Sequence, residues 1–205
     1  MIAIVDYGVG NIFSLYSSFS KIGAEVKLTG SPDEIEAADK IVLPGVGAFE
    51  DAARKLRETG LGRVVIEQAK KGKPLVGICL GMQLLFDKSY EYGEHDGLGL
   101  IRGNVVSMAP VVPEGYKVPQ IGWNALHFPE NKLKNEIFSN TNEGDHVYFV
   151  HSYYGTDCDD ALIATTEYGP ELTAAVADRN VYGLQFHPEK SGDVGLNILR
   201  AFCGL

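Results

Sequence analysis

The sequence predicts an α/β fold in which a mostly parallel sheet carries helices on both faces. Three observations lead there. Short apolar runs alternate with amphipathic helical patterns through the first half of the chain. One run, Leu75 to Ile78, is apolar throughout, as a strand buried on both faces is, and it runs directly into CLGMQLLF. The second half is richer in extended segments and ends in a helix, so additional strands are expected there.

Residues Ile2 to Val5 read as the first strand, after which Ile12, Leu15, Phe19 and Ile22 recur at helical spacing and Gly23 ends the helix. Val26 and Leu28 suggest a second strand. Ser31, Pro32 and Glu34 supply an N-cap, a first-turn proline and a capping-box partner for a short helix. Ile41 to Leu43 return to strand, and helical patterns follow at Ala52 to Arg57 and Val64 to Lys70. Beyond the central strand, Val105 to Met108, Val147 to His151, Leu162 to Thr166, Ala174 to Ala177 and Val181 to Phe186 are expected to be extended, with a last helix over Val194 to Phe202. Tyr90 to Leu100 and Pro110 to Pro119 are rich in Gly, Pro and polar residues and read as loops within one domain, 1–205.

Composition narrows the function. The 45% hydrophobic and 22% charged content is that of an ordinary globular chain. The start has no basic leader and meets Asp6 early, which predicts a cytoplasmic protein with no membrane segment. A net charge of −9 without a basic run speaks against nucleic acid. Cys79, Cys158 and Cys203 are odd in number and widely spaced, so neither a disulfide framework nor a metal site is expected, and no cofactor is called for.

GICLG, residues 77–81, places Cys79 where a buried strand turns into a helix, framed by glycines. A tight strand-to-helix turn strains its central residue and exposes its reactive atom, and a thiol at a helix N-terminus ionises more readily than a free one. A buried core cysteine is the plain alternative, and it is the expected role of Cys158, in the acidic TDCDD, and of Cys203, on an apolar helical face. Of the five histidines, only His187 is followed by proline and a carboxylate, in LQFHPEKS. Pro188 biases it towards extended geometry, and in extended chain residues i and i+2 share a side, so Glu189 can hold the imidazole from behind. His151 also ends a strand but has no adjacent carboxylate, and is assigned to substrate contact instead. PGVGAF, residues 44–49, lets backbone amides face a ligand: the N–H groups of Leu80 and of Val46 or Gly47 are candidate donors to an oxyanion if the two loops are neighbours. Gln83, one turn beyond Cys79, is placed to receive an amide or α-amino group.

PGVG, GICLGMQ and QFHPEKS, in that order, resemble the class I, or triad, glutamine amidotransferases over essentially the whole chain. The resemblance implies a flavodoxin-like architecture and glutamine hydrolysis to glutamate and ammonia through a cysteine thioester, with Cys79, His187 and Glu189 as the triad. It places Val46, Gly47 and Leu80 at the oxyanion hole, and Gln83, His151, Ser152 and Tyr153 around glutamine. DYGVGNIFSL, PGVGAF, IGWN and YFVHSYY are similar to one branch, whose members pass ammonia to a separate cyclase subunit, a (β/α)8 barrel, in a heterodimer. The same motifs point away from the branches serving pyridoxal phosphate or anthranilate synthesis. Asn11, Trp123, Asn124 and Lys190 match the partner-facing side. With no P-loop or GxGxxG present, acceptor chemistry is expected in that partner. A non-catalytic scaffold subunit is the alternative, which the intact triad argues against. Val46 replaces the glycine of the commoner PGG loop; a β-branched residue resists positive φ, so the hole is expected to be imperfect until the loaded cyclase docks.

Overall fold

The computed structural model describes residues 1–205. In chain order its elements begin β1 (Ile2–Val5), α1 (Ile12–Lys21), β2 (Val26–Thr29), α2 (Pro32–Ala37), β3 (Lys40–Leu43), α3 (Phe49–Glu58), α4 (Leu61–Lys70), β4 (Leu75–Ile78) and α5 (Leu80–Leu84). Strands follow almost continuously: β5 (Phe86–Ser89), β6 (His95–Asp96), β7 (Ile101–Ser107), β8 (Gln120–Ala125), β9 (His146–His151), β10 (Tyr153–Thr156), β11 (Leu162–Glu167), β12 (Glu171–Asp178) and β13 (Val181–Leu184). Helix α6 (Gly192–Gly204) closes the chain.

The main sheet has the order β11-β12-β13-β4-β3-β1-β2. The five strands from β13 to β2 run parallel, and β11 and β12 add an antiparallel edge. Alternate residues of the parallel strands go to opposite faces, as the period of two requires. Ala3, Val5, Ile41, Leu43 and Leu75 join a core beneath α2, α3 and α4, while Ile2, Ile4, Val42, Val76 and Ile78 join another with Leu15 and Phe19 of α1 and Ile198, Leu199 and Phe202 of α6. The expected two-faced layering is present.

Several local expectations need correction. The helix expected after Cys79 is short: α5 lasts five residues and Phe86 already begins a strand. Ser31 caps α2 in an extended conformation, but the capping box does not form. Its side chain makes no cap bond, and Glu34 accepts from Lys27 Nζ at 2.7 Å instead. The Tyr90 to Leu100 segment contains β6, paired with β5. The strands of the second half do not all extend the main sheet: β10, β7, β5 and β6 form a separate sheet, and β8 with β9 form a two-stranded ladder. IGWN, which read only as a motif, lies within β8.

Glycine sets how closely the loops at the carboxyl edge can meet. A Cβ built on Gly81 would lie 1.9 Å from the Leu43 carbonyl oxygen, one on Gly45 would lie 2.6 Å from the Gly81 nitrogen, and one on Gly77 would lie 2.5 Å from the Gly81 oxygen. Main chain packs on main chain there, with no room for a methyl group. Gly81→Ala is therefore expected to cost at least about 3 kcal/mol in urea unfolding, the upper end for overpacking, because no flexible side chain is available to yield. Gly204→Ala, with nothing near its added methyl, should change stability by less than about 0.5 kcal/mol.

Candidate active site

Cys79 occupies the turn between β4 and α5 at φ 55, ψ −114, a left-handed conformation for a residue with a side chain. Holding it there costs about 1–3 kcal/mol, which the surrounding sheet must offset. The Cys79 N–H donates to the Leu184 carbonyl at 2.7 Å, so the ladder of β4 and β13 continues through the nucleophile position. The expected elbow is present.

The chain leaves β13 through Gln185 and Phe186 to His187, which is extended at φ −99, ψ 98. Its Nδ1 lies 2.8 Å from Glu189 Oε1. The contact expected from the sequence forms, but by another route: residues Pro188–Lys190 make one turn of 3-10 helix with proline at its start, so the tight turn, not extended spacing, brings Glu189 behind the ring. The Glu189 side chain is fully buried, Asn11 Nδ2 approaches the same oxygen at 3.4 Å, and Oε2 has no partner. A buried carboxylate so sparsely paired is stabilised chiefly by a charged imidazole. Burial works to lower the pKa of His187, but hydrogen bonding to the Cys79 side chain and to Glu189 outweighs it and pushes the value up to about 9. The ring is thus poised to be an imidazolium beside the thiol.

A cavity of about 560 Å³ opens over this pair, lined by Val46, Gly47, Cys79, Leu80, Gln83, Glu91, Tyr92, Ser107, Val118, Pro119, Val150, His151, Ser152, Tyr153, His187 and Lys190. The loop after β3 and the turn after β4 are neighbours, as an oxyanion site requires. The N–H groups of Val46 and Gly47 donate to no protein acceptor, and that of Leu80 belongs to the first turn of α5, which has no intrahelical partner. As expected of a β-branched residue, Val46 does not take positive φ: the left-handed residue of the loop is Gly47, φ +91, while Val46 sits 42% exposed on the rim. The loop is anchored from below by Tyr7, whose buried hydroxyl donates to the Pro44 carbonyl at 2.7 Å.

Around the far wall, Tyr153 O accepts from both Gln83 Nε2 (3.0 Å) and His151 Nδ1 (2.8 Å). Gln83 Nε2 also donates to Gln185 Oε1 at 3.1 Å, leaving its own oxygen as the atom it can offer a ligand. His151 Nε2 lies 2.9 Å from Gln120 Oε1. Both its nitrogens face protein oxygen atoms, so His151 offers a ligand its ring and no open nitrogen, which speaks against its acting as the base. Burial lowers its pKa to about 4, against the pull of the Tyr153 carbonyl and with repulsion from His187 added.

Of the residues expected to face a partner, Trp123 is 52% exposed and stacks edge-on with Tyr148, across which Lys190 Nζ lies 5.7 Å from the ring centre. Asn124 is tied inward, accepting from Gln120 Nε2 at 2.9 Å and donating to the Glu167 carbonyl at 3.2 Å. Cys158 is buried and Cys203 half-buried, both away from the cavity; burial pushes both thiols up. No group of three or more His, Cys, Asp or Glu side chains could hold a metal ion, and no helix is long and apolar enough to cross a membrane. Sequence reasoning missed Glu91, the only carboxylate lining the cavity, because it lay in a segment read as featureless loop. Its Oε2 accepts the Phe49 N–H at 2.6 Å. Tyr7 and Gln185 lay inside quoted motifs without being given a role.

The depressed His151 value has a consequence for stability. The unfolded chain binds a proton at this residue near 6.5 and the folded chain only near 4, so stability is present above 6.5 and is lost as the pH falls from there towards 4. The loss should approach about 3 kcal/mol. Urea unfolding at neutral pH and at about pH 5 should show about 2 kcal/mol of it, and His151→Gln should flatten that part of the profile.

Comparison with known proteins agrees with this geometry. The family model described as glutamine amidotransferase class-I matches residues 3–203. The imidazole glycerol phosphate synthase subunit HisH of Geobacillus sp. (strain WCH70) is 48% identical over 208 residues, spanning 100% of this chain and 97% of that protein. The protein of the same name from Sulfurimonas denitrificans is 49% identical over 205 residues, spanning 98% of this chain and 97% of its own. Among solved structures, a crystal structure of a glutamine amidotransferase superposes with a TM-score of 0.76 at 19% identity, over 100% of this chain and 99% of that one. PurLQS from Thermotoga maritima gives 0.75 at 21%, over 99% and 97%. The structural likenesses speak for the fold, the family match and the relatives for descent: the chain belongs to the class I glutamine amidotransferases.

Proposed function

We propose that this chain is the glutaminase subunit of an imidazole glycerol phosphate synthase, working as a single unit over residues 1–205 in histidine biosynthesis, and that it delivers ammonia to a cyclase subunit. The observation that carries the chemistry is Cys79 on its left-handed turn, with the His187–Glu189 pair leaving the adjoining strand and an amide-bearing loop opposite. The thiolate of Cys79 attacks the side-chain carbonyl carbon of glutamine. The resulting oxyanion is met by the N–H of Leu80 and of Val46 or Gly47. His187, as imidazolium, gives its proton to the departing nitrogen, and ammonia leaves a thioester on Cys79. The now neutral His187 takes a proton from water, which adds to the thioester; collapse releases glutamate and restores the ion pair. The sum is glutamine and water to glutamate and ammonia. Glu189 keeps Nδ1 protonated and compensates the imidazolium charge.

The polar lining suits the rest of the substrate. Glu91 is the carboxylate available to an α-ammonium group, the Gln83 oxygen can accept an N–H, and the Ser152–Tyr153 segment with the His151 ring forms the opposing wall. The acceptor reaction belongs to the partner, a (β/α)8 barrel in a heterodimer. Asn11, Trp123, Asn124 and Lys190 are assigned to the shared face, where exposed Phe13 and Ile121 add apolar area. A half-exposed tryptophan flanked by an aromatic ring and a cation is a suitable anchor for such an interface. The absence of positive φ at Val46, where a glycine could adopt it, supports completion of the oxyanion hole on docking.

Cys79→Ala should abolish ammonia release from glutamine while leaving the fold and partner binding intact; a scaffold role predicts no ammonia from the parent chain either. Glutaminase activity, measured with and without the cyclase and its ribonucleotide substrate, should rise on their addition. An unchanged rate overturns the docking-dependent hole. Trp123→Ala should weaken co-purification with the cyclase by at least about tenfold in Kd, corresponding to loss of about 1.4 kcal/mol.

A further inference from the structure

Resting on the glutaminase reading above, we propose that Gln185 is a further catalytic residue: its side-chain amide donates an N–H to the Cys79 sulfur and favours the thiolate, with Gln83 fixing which end of that amide faces the sulfur. Gln185 is wholly buried between Leu184, whose carbonyl holds the Cys79 N–H, and the base strand exit at His187. A buried primary amide must place both of its ends. Its Oε1 accepts from Gln83 Nε2 at 3.1 Å, and its Nε2 lies 3.9 Å from Cys79 Sγ, the one acceptor it meets.

The orientation follows from a main-chain atom. The Tyr153 carbonyl can only accept, so the Gln83 atom 3.0 Å from it is the nitrogen. That same nitrogen faces Gln185, so the Gln185 atom opposite it is the oxygen, and the remaining end, turned to the sulfur, is the NH2 group. The assignment is fixed by the chain of partners and would not survive flipping either amide.

The two protonation states of Cys79 meet opposed neighbours. The Val150 carbonyl, 3.9 Å from Sγ on another side, can accept from a thiol and repels a thiolate. An N–H donor acts the other way: a thiol sulfur is a weak acceptor, whereas a hydrogen bond to an ionised acceptor is roughly twice as strong as a neutral one. Gln185 therefore offsets Val150 selectively in the reactive form, alongside the His187 imidazolium. The other ionisable groups around the sulfur are His151, Glu91 and Lys190 lining the cavity and Tyr7 beneath it, all left in place by a change at Gln185.

The test follows iodoacetamide alkylation of the Cys79 peptide by mass spectrometry across pH, a reaction that reports thiolate and needs no oxyanion hole. Gln185→Met keeps the length and removes the donor; Gln185→Glu keeps the shape and places a carboxylate beside the sulfur. We expect the alkylation midpoint to rise by about one pH unit in Gln185→Met and further in Gln185→Glu, with kcat for glutamine falling about tenfold and KM changing less than about twofold. A folded Gln185→Met enzyme whose midpoint is unchanged overturns the proposal, even if kcat falls, because packing alone would explain such a loss. If neither variant folds, the side-chain amide of Gln185 in the unaltered protein, followed by nitrogen-15 NMR, should shift with the same midpoint as thiolate absorbance; a resonance that does not move overturns the assignment. Absence of ammonia release from the unaltered chain would instead sink the glutaminase reading, and the alkylation midpoint would still decide the contact.

Discussion

Everything at the carboxyl edge of the main sheet depends on main chain packing directly against main chain. Gly45, Gly77 and Gly81 let the loop after β3, the end of β4 and the start of α5 approach until a single methyl group would overlap a carbonyl oxygen. That closeness holds Cys79 in a left-handed conformation its side chain disfavours, and it brings two loops with unpaired amides to one cavity. Tyr7 adds a hydrogen bond from beneath, so the loop is held by its own backbone geometry and by the core.

Charge is arranged on the same economical scale. Glu189 is buried with one oxygen unpartnered and shares the other between His187 and, at longer range, Asn11. Such a group is tolerable because the imidazole beside it holds a proton. His151, a short distance across the cavity, has the opposite character: burial and repulsion from His187 lower its pKa against the pull of the Tyr153 carbonyl. Two histidines in one cavity are driven in opposite directions by burial and partners alone, which supports the proposed division into base and wall more strongly than their sequence neighbourhoods do.

Much of this was legible in the sequence because periodicity and glycine placement act locally. The alternation of β1 to β4 with α1 to α4, the turn at Cys79 and the pairing of His187 with Glu189 each follow from a few adjacent residues. What was not legible depends on distant contacts. Phe86 turns to strand immediately after α5 because it pairs with Ile101, and β8 exists because Gln120 to Ala125 lie against β9; neither is visible in a local window. The capping box at Ser31 failed because Lys27, on the preceding strand, holds Glu34. Glu91 and Gln185 went unassigned for a similar reason, since a loop residue and a residue just past a strand end acquire meaning only from the cavity and the sulfur they reach.

The nucleophile turn, the base and the amide-bearing loop leave β4, β13 and β3, three adjoining strands of one ladder. Their separation is inherited from the spacing of hydrogen-bonded strands, about 4.8 Å per step, and side chains on the outer strands have no means of altering it. The residues proposed to face an acceptor protein, by contrast, lie at the start of α1, on β8 and at the rim. A protein divided in this way can exchange the recipient of its product by remodelling its periphery, while the reacting atoms keep the distances the sheet imposes.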